Sequence, residues 1–222
     1  MSLSRILLRA AVLIGLCSSA GIVFAQLPAD IDPQSRARLP YVERQDAGKD
    51  AQRLFDTFVR NSNSPTDVLT GPLAFAAYNV GVANALLDLH GGAVTDSSLN
   101  AHVRELAILV ACRETNYNFE WNAHEPAALR AGVDQKVIDI VRTNAALTGI
   151  DEADAAVIRF GRELLHDREV SSETFAKARE LYGDRGVTDL VAAMMTYAVS
   201  GFYAIAVDEQ PAEGRPALPS IR

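Results

Sequence analysis

Cysteine is nearly absent from this chain, with two residues in 222, Cys17 and Cys112. Cys17 falls in a segment with the marks of an export leader, so the remainder cannot form an internal disulfide. Dithiol redox chemistry, which needs a Cys-x-x-Cys pair, is excluded as well. Metal-binding patterns are also missing. His90, His102, His124 and His166 show neither His-x-x-x-His nor His-Glu-x-x-His spacing, so no metal site is expected. There is no glycine-rich phosphate loop and no Gly-x-Ser-x-Gly elbow, and no cofactor is expected. Convincing strand alternation is lacking throughout. Positive charge is scarce, with 21 Lys and Arg against 28 Asp and Glu and a net charge of −7. That balance disfavours nucleic acid and anionic membrane surfaces as partners.

Residues 1–25 read as a signal peptide. Arg5 and Arg9 give a basic start, Ala10 to Cys17 is apolar, and Val23-Phe24-Ala25 places small residues where a signal peptidase cuts. The expected mature chain begins near Gln26 and is exported, to the periplasm or beyond. The leader carries two Arg and no acid, so its removal takes the net charge from −7 to −9. Residues 26–45 read as an extended arm, 46–208 as one helical domain and 209–222 as a Pro-rich tail.

Within the domain, helical signals recur about seven to eight times, giving an all-α fold. Leu54, Phe55 and Phe58 share one face of a first helix, followed by a loop at 61–65. Pro72 fits the first turn of a second, expected to run to Leu89 and stop at Gly91-Gly92. Further helices are expected over 98–115 and 119–131, the latter ended by Gly132. Asp134 and Asp151 open two more, and Ser171 or Ser172 caps another that ends near Gly183. The last covers about 187–207. Two stretches, Val68–Leu87 and Leu190–Val207, carry no charged residue. Each is long enough to cross a bilayer, yet both are interrupted by polar residues and lack basic anchors. They read instead as helices buried on all sides, partly against other subunits.

Chemistry concentrates in two places. Glu105 sits on an apolar helical face, where it is either a desolvated carboxylate or part of an ordinary ion pair. Glu120 and His124 are four apart and share a face, as a proton-transfer pair or as a plain surface pair. Trp121 is either core or a ligand platform, and Tyr117 either a hydrogen-bond donor or a loop aromatic. Glu125, before Pro126, is placed near a helix start, where the dipole favours an acid. Cys112 reads as a small buried thiol.

The run Arg104-Glu105-Leu106-Ala107-Ile108-Leu109, followed by Glu120-Trp121-x-x-His124 and then Gly132, resembles the carboxymuconolactone decarboxylase family. That family includes the alkylhydroperoxidase D-type peroxidases. The peroxidase branch carries Cys-x-x-Cys and then His; aligned on His124, its two sulfur positions fall on Tyr117 and Glu120. The resemblance therefore implies the branch without the dithiol. It implies an all-α fold assembled as trimers or hexamers. It also implies a lyase or isomerase acting on a small organic acid, such as an unsaturated lactone. In that reading Glu105, Glu120 and His124 are catalytic. Tyr117, Trp121, Arg113 and Arg130 bind substrate, the two arginines being the cations nearest in sequence. The alternatives are a peroxidase-type oxidoreductase confined to Cys112 and a non-catalytic periplasmic binding protein.

Overall fold

The computed structural model describes residues 27–62, 69–211 and 214–220, the side chains at 50 and 58–62 aside. The leader at 1–25, the start at Gln26, the loop at 63–65, the Phe58 side chain, Val68 and the chain ends at 221–222 lie outside those residues. Apart from a single bridge residue at Glu43, regular structure among the described residues is helical. The eight helices are α1 (Gln52–Ser62), α2 (Pro72–Ala76), α3 (Val80–His90), α4 (Ala101–Glu114), α5 (Asn118–Arg130), α6 (Gln135–Thr143), α7 (Glu152–Arg162) and α8 (Ser172–Val207).

Local chemistry sets most of the boundaries. Asn100, Asp134, Asp151 and Ser171 each accept a bond from a backbone N–H of the first turn of the helix that follows, starting α4, α6, α7 and α8. The single helix expected from Pro72 to Leu89 is broken. Asn79 caps a new start, its side chain accepting from Val82 N at 3.3 Å, so α2 and α3 are separate. The stop expected at Gly91-Gly92 comes later, because the chain continues as a wider turn through Thr95. Gly183 has φ 68° and ψ 179°, a conformation open to glycine, and it breaks α8 where two helices are expected to divide. Helix resumes at once on either side, without a connecting loop.

Helix α4 is the axis of the molecule. Every residue from Leu106 to Arg113 is buried, with α5, α6, α7 and α8 packed around it. At roughly 25 cal/mol per Å², this burial is the main stabilising contribution. The second half of α8 lies close against the end of α4. A β-carbon on Gly201 would overlap the side chain of Thr115, so glycine is what lets the two backbones approach. By length and composition α8 could cross a membrane, but 56% of its most apolar window is buried inside this one chain. Within this one chain it is not buried on all sides, since Met195, Phe202 and Ile205 share an exposed face.

The described stretches nearest the two ends, 27–45 and 214–220, are built into the fold. The N-terminal arm turns at Asp32, whose carboxylate accepts from the Gln34 and Ser35 amides. It then packs Ala37 and Tyr41 beside Phe75 and Val207. Arg38 N donates to Val207 O at 2.7 Å and Gln210 N to Arg36 O at 2.7 Å, joining arm to tail. Further on, Leu218 is buried and its N–H donates to Asn118 Oδ1 at 2.6 Å.

Candidate functional site

Glu105 stands at the start of the buried run of α4, and its side chain is only 12% exposed. A carboxylate there needs a partner. It finds His124 on α5, with Nδ1 2.8 Å from Glu105 Oε2. The other ring nitrogen, Nε2, lies 3.4 Å from Glu120 Oε2, one helical turn back on α5. This second contact is a looser ion pair rather than a well-formed hydrogen bond. Sequence spacing places Glu120 beside His124; the packing of α4 on α5 brings in Glu105.

Burial is the largest single influence on His124 and pushes its pKa down. The bonds and charges of Glu105 and Glu120 together outweigh it and raise the imidazole from 6.5 to about 9. At neutral pH the ring is therefore an imidazolium between two carboxylates. It has no lone pair to give a metal, and among the described residues no cluster of His, Cys, Asp and Glu is arranged to hold one.

Three further residues complete the surroundings, and two of them, Tyr197 and His90, come from segments whose spacing carries no hint of the site. Tyr197 of α8 presents its ring edge-on to His124, with centroids 4.8 Å apart. Its hydroxyl lies 3.4 Å from His90 Nε2, at the end of α3. Burial lowers the His90 pKa, so this imidazole is neutral at pH 7. Arg104, next to Glu105, bears electrostatically on Tyr197, and its buried Nε has no partner among the described residues. An arginine at the edge of an apolar helix is the one sequence signal that points to it. Cys112 is fully buried, and burial together with Glu120 and Glu105 pushes its thiol well above the usual range.

The remaining candidates fall elsewhere. Trp121 is buried core; its indole N–H donates to Glu125 Oε2 at 2.8 Å and its ring carries the Arg142 guanidinium. Glu125 is therefore not a dipole-stabilising acid at a helix start. It sits in the second half of α5, paired with Arg142. Arg113 points away from the trio. Its guanidinium donates to Arg142 O, Pro219 O and Asn116 Oδ1, tying the tail to the core. Arg130 is exposed at the far end of α5. Tyr117 is buried at the other end of that helix, where it lines a cavity with Phe119 and Glu209.

The family model described as the carboxymuconolactone decarboxylase family matches residues 81–163. No curated protein matches the sequence. Several solved structures share the fold. An uncharacterized peroxidase-related protein from Silicibacter sp. TM1040 superposes with a TM-score of 0.62 at 17% identity, over 83% of this chain and 95% of that one. The alkylhydroperoxidase AhpD core protein from Ralstonia eutropha JMP134 gives 0.62 at 19%, over 80% and 93%. A cysteine-to-alanine variant of the debrominase Bmp8, in complex with 2,3,4-tribromopyrrole, gives 0.61 at 13%, over 78% and 90%. At these identities the likeness speaks for the fold alone. The matched segment runs from α3 to the end of α7 and contains Glu105, Glu120 and His124. Residues 81–163, with Glu105, Glu120 and His124 among them, are thus similar to the carboxymuconolactone decarboxylase family, and the surrounding helices share the fold of the peroxidase-related and AhpD core structures.

Proposed function

We propose that this protein is a cofactor-independent lyase or isomerase that moves a proton at a carbon of a small organic acid, of the unsaturated lactone type. The observation that supports this most is the buried imidazolium of His124, fixed through Nδ1 by Glu105 and held more loosely through Nε2 by Glu120. A proton on Nε2 is the one available to a substrate, because the longer contact is the easier to displace. In a decarboxylation, the bond from carbon to carboxylate breaks and carbon dioxide leaves with neither electron of that bond. The pair passes into a dienolate, which His124 Nε2–H then protonates at carbon. Glu105 keeps the ring oriented, and Glu120 accepts or returns the second proton as the ring is recharged from solvent. Arg104, next to Glu105 and with its buried Nε unpartnered among the described residues, is the cation for the substrate carboxylate. It takes the place that sequence proximity suggests for Arg113 or Arg130.

A peroxidase reading would have to run through Cys112, and a fully buried thiol held in its protonated form is a poor nucleophile. In the same proposal the protein acts outside the cytoplasm after loss of residues 1–25, as a homo-oligomer. The exposed apolar face of Met195, Phe202 and Ile205 supports that assembly. The test is turnover of a carboxylated unsaturated lactone in deuterated water. The expected result is release of carbon dioxide with one deuterium at carbon, reduced roughly 10²–10⁴-fold in His124→Ala. Retention of full activity in His124→Ala would remove the basis of the proposal.

A further inference from the structure

A cavity of about 710 Å³ lies where the N-terminal arm, the start of α5 and the end of α8 meet. Its volume is in the range of pockets that hold small organic ligands. Tyr41, Phe119, Ala204 and Ile205 supply apolar wall surface, among polar side chains that include Gln34, Asn122 and Gln210. At one end stand Tyr117 and Glu209. The Tyr117 hydroxyl and Glu209 Oε2 are completely buried, and neither has a hydrogen-bond partner of good geometry among the described residues. Tyr117 as a whole is only 2% exposed. The two groups are close enough to interact, each shifting the titration of the other, but their contact falls short of a well-formed hydrogen bond. Two buried polar groups without a well-formed bond at one end of a cavity cost stability, which calls for an explanation. Nearby, Pro126 has no N–H for the carbonyl of Asn122, another cavity residue, and so removes one intrahelical bond there.

We propose that this cavity binds a small uncharged ring compound bearing a hydroxyl, which accepts from Tyr117 and donates to Glu209 while its ring lies against the apolar walls. A hydroxyl is the simplest group that can do both at once. An anionic ligand fits poorly, because it would enter beside the Glu209 carboxyl with Glu120 close behind. The cations on the rim do not offset this. Arg36 Nε donates to Pro211 O, and Arg215 is exposed. Burial is the main cause that pushes the Glu209 carboxyl up to about 7, in keeping with a site that avoids net charge. Tyr117 immediately precedes α5, which carries Glu120 and His124, and Glu120 bears electrostatically on both Tyr117 and Glu209, so the cavity adjoins the proton-transfer trio. The binding proposal does not depend on the reaction proposed above.

The test uses the full chain, with phenol as the probe and toluene and benzoate as comparators, followed by amide NMR shifts. Phenol is expected to shift amides of residues 116–123 and 204–210, and toluene to shift the same set more weakly. Tyr117→Phe keeps the ring and removes the hydroxyl. It should weaken phenol by about tenfold, the scale of one lost hydrogen bond, and leave toluene unchanged. The variant should melt close to wild type, since the buried hydroxyl it loses makes no well-formed bond. Ala204→Phe, which fills the cavity, should abolish binding of both. If that variant fails to fold, the Tyr117→Phe comparison decides alone. Absence of shifts in the two segments at ~10 mM phenol would overturn the proposal, that being weaker than any specific site. Unchanged phenol binding in Tyr117→Phe, or benzoate binding as tightly as phenol, would overturn it equally.

Discussion

Glu209→Gln should stabilise this protein, but only above a definite pH. The carboxyl is buried beside Tyr117, and its pKa is raised from 4.5 to about 7, chiefly by burial and further by Glu120. A raised carboxyl favours folding while protonated. That contribution is complete below about pH 4.5, the unfolded value, and is lost as pH rises through about 7. A difference of this size corresponds to roughly 3 kcal/mol at 1.36 kcal/mol per decade, an upper figure because water can reach the cavity. Glutamine keeps the shape of the protonated acid and cannot ionise. Wild type and variant should therefore unfold at the same urea midpoint near pH 4.5. By pH 8 the variant should be more stable by about 1–3 kcal/mol. Paired urea titrations followed by circular dichroism at the two pH values make the measurement. A variant as stable as wild type at pH 8, or less so, would show that Glu209 is not held in the environment described.

Three further outcomes follow from the packing and the site. Gly201→Ala should cost about 1–3 kcal/mol in thermal unfolding, because the new methyl has to displace Thr115 at the α4–α8 contact. Cys112 should resist thiol reagents until the chain unfolds, and Cys112→Ser should leave turnover nearly unchanged; rapid peroxide consumption that the substitution abolishes would revive the peroxidase reading. Glu105→Gln and His124→Ala should each lose comparable activity, with the double variant losing little more, since groups that act as a unit are not additive.

Much of this fold is written locally. The caps at Asn100, Asp134, Asp151 and Ser171 depend on side chains within three residues of the amide they meet, so the helix starts are legible without tertiary information. The same holds for the Glu120–His124 pair. What depends on packing is not legible. Nothing near Tyr197 or His90 in sequence marks them as neighbours of His124, because three separate helices have to dock first. Arg113 shows the reverse error. It is close to the site in sequence, but helix geometry turns it toward the tail, where its donors meet carbonyls from Arg142 and Pro219. Glu209 falls in a stretch that reads as a Pro-rich tail. Its burial arises only when the arm closes over the end of α8.

The central claim is that Glu105 and Glu120 hold His124 as a buried imidazolium. An NMR titration of the four histidine side chains, in wild type and in Glu105→Gln, tests it without any substrate. The account predicts one imidazole that titrates near 9 in wild type, and its assignment to His124 by loss of the signal in His124→Ala. In Glu105→Gln that value should fall toward or below the ordinary value near 6.5, since burial then opposes a single carboxylate. An identical His124 titration in the two proteins, or a wild-type value near 6.5, would contradict the account.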